Sequence, residues 1–485
     1  MIMPPATSVP SPASEYLPRT RQRRDWLNSA AVGLLIGANA AILAALTVVG
    51  GPLFGFGALA GVGIGVYVLA DLLGGLYITL AAVALLPFAT LPLKIAVTPT
   101  FINLAMAAFV LVYLFQWMTG RRTRPRFVLA HAFIVLFMGF ALFSFVAGLH
   151  GGLTTTTLRK FVEIMIDIAA SLILVDVIRD RDTLRRLLLI LIVLGAVQAV
   201  IGLALVLINP DTAGRLLNTL SRFGYPAGGV VRYVNDDPNQ AERAIGTWVD
   251  PNAYGGFFVI IGALGLSQFL AARPVTGSRW WALLLTAPML LVLLLTQSRG
   301  ALAGIAMAAL VIALVRRRWL IPVGIGAAVI FMLLPFTQSY VLRVVAGLTN
   351  QDLATQMRFG EYKDALILIG RYPLIGVGFV GVPDRDIYLG VSSLYLTIAE
   401  NTGLIGIGLF ALAIGAALRY GIVRWQRLRA DELLIDVWLG LLAALLGALV
   451  SGIFDHFYFD LEFTGAGLLF WLIIGLLLAA ARISH

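Results

Sequence analysis

The chain has 485 residues, 60% hydrophobic and only 12% charged, with a mean hydropathy of +0.93. Soluble domains carry roughly 25% charged residues, so a shortfall spread along the length excludes a soluble fold and predicts a polytopic membrane protein. The absence of cysteine excludes disulfides and thiolate metal sites, and His131, His150, His456 and His485 lack zinc-ligand spacing. The net charge of +10 lies largely in short arginine-rich loops, which argues for membrane anchoring and against nucleic acid as a partner.

Residues 1–28 open with "MIMPPATSVPSPASEYLP" and continue with "RTRQRR". They are expected to form a disordered, basic cytoplasmic tail. The apolar segment after them is long enough to span and reads as a signal anchor, not a cleaved signal peptide. A span needs about 20 apolar residues. Such stretches fall near 29–50, 54–73, 75–93, 100–118, 127–148, 161–178, 187–208, 252–271, 279–296, 299–315, 319–336, 392–418, 433–454 and 464–481. The fold class is therefore all-α, with about fourteen transmembrane helices. Asp71 and a Gly74-Gly75 turn divide the pair within 54–93. "GFGALAGVGIG" (55–65) has no strand before it, so its glycines indicate close helix packing, not dinucleotide binding.

With the amino terminus inside, the cytoplasmic segments hold Arg121, Arg122, Arg124 and Arg126, then Arg179, Arg181, Arg185 and Arg186, and later Arg316, Arg317 and Arg318. Together with the tail and the remaining short inner loops they contain 22 of the 35 Lys and Arg, as the positive-inside rule requires. The chain then divides into N-terminal helices (29–208), an outer loop (209–251), central helices with Arg299 (252–336), a large outer loop (337–391) and C-terminal helices (392–485). Long loops between spans carry function more often than mere connection.

Several outer-face groups are candidates for chemistry. Arg299 follows Thr296, Gln297 and Ser298 in "TQSRGALAG", where the rule would not put a cation. Its planar fork suits phosphate oxygens, and the three polar neighbours could also hydrogen-bond an anion. Arg243, Arg358 and Lys363 share that leaflet. In the second loop, Phe359, Tyr362, Leu366 and Ile369 recur at helical spacing, which predicts an amphipathic helix along the outer membrane–water boundary. Arg371-Tyr372-Pro373 ends it, because proline cannot continue a helix. "NDDPN" (235–239) and "VDPN" (249–252) are turn signals; adjacent carboxylates diverge, so Asp236-Asp237 reads as a turn and not a metal site. Candidate proton acceptors are His456 beside Asp455 in "GIFDHFYFD" and Glu400 inside a span.

Three stretches together resemble the O-antigen ligase and O-antigen polymerase superfamily of bacterial envelope glycosyltransferases. They are "RAIGTWVDPNAYGGFF" (243–258), "TQSRGALAG" (296–304), and "RFGEYKDALILIGRYPLIGVGF" (358–379) with "SSLYLTIAENTGLIGIGLF" (392–410). The last helices, from "FDHFYFDLEFTGAGLLFWLIIGL", are similar to those of some polymerase members. The resemblance implies a lipid-dependent glycosyltransferase (GT-C-like) architecture in the bacterial inner membrane, with its active site facing the periplasm or cell exterior. The implied donor is an undecaprenyl-pyrophosphate-linked glycan and the acceptor a glycan or lipid-linked sugar. The reaction would be inverting, without metal or cofactor. Arg299, Arg243 and Arg358, with Lys363, would face the pyrophosphate, and His456, Glu400 or Asp386 would take the acceptor proton.

One departure counts. Many ligases of the superfamily carry His-Asn where this chain has Ser392-Ser393, and serine cannot act as a general base near neutral pH. The departure favours a polymerase of exopolysaccharide, capsule or O-antigen repeats over an O-antigen or protein O-oligosaccharide ligase. A transporter or flippase of lipid-linked or anionic substrates is the alternative from another class. Such a protein is expected to show an internal repeat, and none is evident here.

Overall fold

The computed structural model divides the chain into two units, Met1–Ala70 and Asp71–His485. It describes residues 71–90, 98–122, 126–334, 337–349, 352–380 and 390–484, together with 61, 63 and 65–67. The expected tail and first span, and most of the second span with residues 55–60, 62 and 64 of its glycine run, lie outside the described residues.

In the second unit twelve of the fourteen expected spans are helices. In chain order, including four loop helices, they are α1 (Leu72–Leu85), α2 (Phe101–Met118), α3 (Leu129–Ala147), α4 (Thr155–Val177), α5 (Arg181–Leu207), α6 (Pro210–Thr219), α7 (Pro251–Phe269), α8 (Arg279–Leu295), α9 (Arg299–Arg316), α10 (Leu320–Leu333), α11 (Gln338–Leu348), α12 (Leu353–Arg371), α13 (Leu394–Val423), a short α14 (Trp425–Arg429), α15 (Glu432–Ser451) and α16 (Thr464–Ile483). Eight are long and apolar enough to cross a membrane, and α1, α8 and α10 are shorter apolar helices. The protein is thus an all-α, multi-pass membrane protein. α4 also has spanning length, but it carries Glu163, Asp167 and Asp176, all buried.

Local chemistry sets the helix starts. Asp71, Asp180, Asp250, Asp352 and Asp431 are N-caps whose carboxylates accept backbone N–H groups that no earlier turn can satisfy. At Asp71 this overturns one expectation. Gly74 and Gly75 do not form a turn; they lie in the first turn of α1, and the Gly74 N–H donates to Asp71.

α7 and α16 are central, with 83% and 89% of their apolar windows buried. α16 packs on α4, α15 on α7 and α9, and α13 on α3. Gly304 of α9 and Gly447 of α15 face each other. A Cβ on either would come within 2.7 Å of the other's carbonyl oxygen, so only glycine permits this approach.

The arginine-rich turns gather at one end of the bundle. Arg181 pairs with Asp431 at 2.7 Å, Arg273 with Glu432 at 2.8 Å, and Arg316 with Asp436, so turns distant in sequence share one layer. The opposite end carries the two long segments. The first contains α6 and a two-stranded hairpin, β1 (Arg232–Tyr233) and β2 (Glu242–Arg243), closed by the "NDDPN" turn. Asn235 and Asp236 adopt positive φ there, and Asp237 accepts bonds from Asn239 and Gln240. The second holds α11 and α12, two helices where one was expected. α12 ends at Arg371 before Pro373, as the sequence indicates.

α13 is broken inside the bundle. Gly403 has φ 66° and ψ −174°, a conformation open almost only to glycine. The segment after α12 fills the break: Val377 N–H donates to the Glu400 carbonyl at 2.8 Å, Gly378 N–H to Asn401 at 3.0 Å, and Leu404 N–H to Pro373 at 2.7 Å. Ser144 Oγ of α3 lies 2.6 Å from both the Ile375 and Asn401 carbonyls. Carbonyls freed by the break thus recover donors inside the bundle, as backbone at membrane depth requires.

Candidate active site

The site begins at two strained turns. Val249 (φ 61°) and Gln297 (φ 52°) hold left-handed backbone without being glycine, an uncommon state that is costly for a β-branched residue. Each immediately precedes an N-cap, Asp250 of α7 or Ser298 of α9. Thr296 and Ser298 use their hydroxyls within the turn: Thr296 Oγ1 donates to Leu293 O at 2.7 Å, and Ser298 Oγ accepts from Ala301 N–H. Their role is to aim Arg299, the first residue of α9.

From there a chain of contacts, closed by one charge interaction, runs around the site. Arg243 Nε donates to the Thr296 carbonyl at 2.8 Å, and its Nη2 to Asn252 Oδ1 at 2.8 Å. Arg299 Nη2 lies 2.8 Å from Asp352 Oδ2, and a Cβ on Gly347 of α11 would collide with the same guanidinium. Asp352 caps α12, the helix that carries Arg358 less than two turns on. Arg358 Nη2 stands 3.7 Å from Asp455 Oδ2. The charge of Asp455 acts on Asp250, whose carboxylate receives the Asn252 and Ala253 N–H groups at 2.8 Å. The structure therefore brings Arg243, Arg299 and Arg358 into one ring at the end opposite the arginine-rich turns.

His456 stands on the same ring. Its Nδ1 is 3.3 Å from Asp455 Oδ1 and its Nε2 is 3.5 Å from Asp460 Oδ2. Burial raises the Asp460 carboxyl above its ordinary range, although His456 opposes the shift. Burial and the Asp455 charge likewise raise Asp250. A cavity of about 550 Å³ adjoins Asp250, lined also by Arg159, Lys160, Arg232, Trp248 and Phe463.

The other expected residues are distributed differently. Glu400 is buried one turn before Gly403, and its carbonyl belongs to the seam with the 377–378 turn. Lys363 is exposed on α12. Asp386 lies outside the described residues. On α12 the protein-facing positions are Ala365 and Leu368, while Phe359 and Leu366 of the expected apolar stripe are 55% and 60% exposed. Phe359 and Leu366 thus turn away from the protein, where lipid is the fitting neighbour, while Tyr362 of the same stripe turns inward to the Ser392 carbonyl.

Two functional candidates are new. Glu361 Oε2 accepts the Ser392 N–H at 2.9 Å, which puts a carboxylate at the Ser392-Ser393 position, and Tyr362 Oη donates to the Ser392 carbonyl at 3.0 Å. The signal in the sequence was Glu361 three residues after Arg358, on the same helical face. Asp352 is the second, marked only by its place three residues before Thr355 at a helix start. Burial opposes its ionisation, but the hydrogen bonds from Thr355 and Arg299 and the guanidinium charge outweigh burial and hold the carboxyl below its ordinary value. A carboxyl depressed in the folded state contributes stability above its unfolded pKa and loses it as pH falls through the folded one. Unfolding midpoints below about pH 4 should therefore drop less steeply for Asp352→Asn than for the parent. Parallel slopes would rule out this contact as an acid-sensitive clasp.

Fold and site define a class before any comparison: a multi-pass helical protein with a guanidinium ring at one end. Residues 282–411 match the family model described as O-Antigen ligase. That segment, from α8 into α13, contains two of the three stretches that carry the resemblance read in the sequence, not the one at 243–258, and includes Arg299, Arg358, Lys363 and Glu400. Arg243 and His456 lie outside it. That match supports an O-antigen ligase/polymerase-type membrane enzyme. No curated protein matches the chain.

Proposed function

We propose that the protein transfers glycan from undecaprenyl pyrophosphate at the outer face of the bacterial inner membrane, and that it polymerises repeat units. The observation that carries this reading is the ring joining Arg243, Arg299 and Arg358. A diphosphate leaving group gains negative charge as its bond to the sugar breaks. Guanidinium forks fixed before the reaction stabilise that charge without a metal. The acceptor hydroxyl attacks the anomeric carbon from the opposite face, the carbon–oxygen bond to phosphate breaks, and undecaprenyl pyrophosphate leaves. The configuration inverts and a base takes the hydroxyl proton.

The arginine-rich turns gathered at the other end support an outward-facing ring under the positive-inside rule. The cavity beside Asp250, with Arg159 and Arg232 among its polar lining, suits the glycan. For the base, Glu361 joins His456, because it stands where Ser392-Ser393 replaces the His-Asn of many ligases. Glu361→Gln should lower kcat by about 10²-fold or more, the usual contribution of a positioned base. An unchanged kcat would return the role to His456. Transfer to a separate acceptor remains the second reading, favoured by the ligase description of the matched model.

The decisive experiment supplies purified protein with a short lipid-pyrophosphate oligosaccharide and no nucleotide or metal. A ladder of products is expected. A single addition only with a distinct acceptor would make it a ligase, and no chemistry in the presence of both substrates would overturn the reading.

A further inference from the structure

A second, larger cavity lies away from the ring. It measures about 1230 Å³ and opens at the arginine-rich end, between the start of α3 and the ends of α13 and α16. The α13 residues that line it, from Ala411 to Val423, lie beyond the Gly403 break, on the half of that helix away from Ser392. Arg126, Arg179, Arg419, Arg424 and Arg482 line it, and no Asp or Glu does among the described residues. Five guanidinium groups around one cavity repel each other and need anions.

The internal contacts answer only part of that need. Arg179 pairs with Asp176 at 3.3 Å, but Asp176 also serves Arg122 at 3.1 Å. Arg424 stacks on Tyr420 at 3.7 Å from its ring centroid and donates to the Tyr420 carbonyl. Arg482 is 7% exposed and reaches the Ile178 carbonyl at 3.4 Å, while its Nε and Nη1 have no hydrogen-bond partner. A buried guanidinium with unmet donors at a cavity wall is a second mark of an anion site.

The walls select the anion. Phe127 and Leu412, both lining the cavity, are 73% and 53% exposed, so the basic floor meets an apolar rim. Free phosphate would satisfy the floor and leave both the rim and most of the volume unused. The amino-terminal segment, with Arg19, Arg21, Arg23 and Arg24, has the wrong charge. We propose that this cavity is a binding site for an anionic phospholipid of the adjoining leaflet, its phosphate held by the five arginines and its acyl chains against Phe127 and Leu412. Basic pockets between membrane helices select anionic headgroups on these terms.

The test reconstitutes the full chain in nanodiscs of phosphatidylcholine with graded phosphatidylglycerol and measures the lipid retained on gentle extraction. Retention of phosphatidylglycerol over phosphatidylcholine is expected, weakening with salt. The double variant Arg126→Gln/Arg419→Gln removes two exposed cations and should retain phosphatidylglycerol about thirtyfold less well. The Lys double variant should stay within a few-fold of the parent. Deleting two exposed charges outside the cavity, Arg317→Gln/Arg318→Gln, should change nothing. Unfolding midpoints in pure phosphatidylcholine identify any variant that fails to fold, in which case the Lys pair and a salt titration of the parent carry the test. Equal loss from the Arg317/Arg318 pair, no loss from the cavity pair, or equal protection by inorganic phosphate would overturn the lipid site.

Discussion

Arg299→Ala should lower glycan transfer by about 10²- to 10³-fold, the scale on which one preorganised donor to a developing anion acts, while the protein still accumulates in membranes. The substitution removes the guanidinium aimed by the Gln297 turn and braced by Asp352 at 2.8 Å. Arg299 is 18% exposed but Asp352 only 8%, so losing the guanidinium leaves a nearly buried carboxylate short of its cation and should also cost some stability. Arg299→Lys restores the charge without the planar fork and should recover only a minor part of the rate. Product-length distributions in membranes from each variant are the measurement. Normal chain length from Arg299→Ala would remove the ring from the mechanism.

Gly403→Ala should produce the largest loss of stability from a single methyl group. At φ 66° and ψ −174° an alanine is strained by roughly 1–3 kcal/mol. Its Cβ would also meet the Leu374 backbone, which forces the docked segment away from the Glu400 and Asn401 carbonyls. Counting both terms, about 3 kcal/mol or more is expected. Gly408→Ala is the control: the same helix, but a Cβ there meets nothing within 4 Å. A change within about 0.5 kcal/mol is expected there. Equal unfolding midpoints for the two variants would mean that the break in α13 has no structural consequence.

Reading the helices from sequence worked because lipid imposes a single simple demand. Each span must satisfy its own backbone and expose an apolar surface, and both requirements leave a contiguous signature of fixed length. The same holds for the arginine-rich turns, which charge alone assigns to one side. Helix ends were legible where a cap or proline marks them, as at Asp250-Pro251 and Arg371-Tyr372-Pro373. Gly74-Gly75 misled because glycine in a first helical turn, next to a capping Asp71, has the composition of a turn.

The break at Gly403 left no comparable signal, since "AENTGLIG" reads as uninterrupted helix and its partner lies some 25 residues upstream at 373–378. The site divides along the same line. Charge nominated Arg243, Arg299 and Arg358, because a cation away from the short arginine-rich loops of a membrane protein is conspicuous one residue at a time. Which of them share a ring, that Asp352 and Asp455 bridge them, and that Glu361 stands at Ser392 depend on contacts between segments tens to hundreds of residues apart. Only the packed helices decide those, since side-chain meetings across a bundle are fixed by how ridges and glycines interlock and not by local sequence.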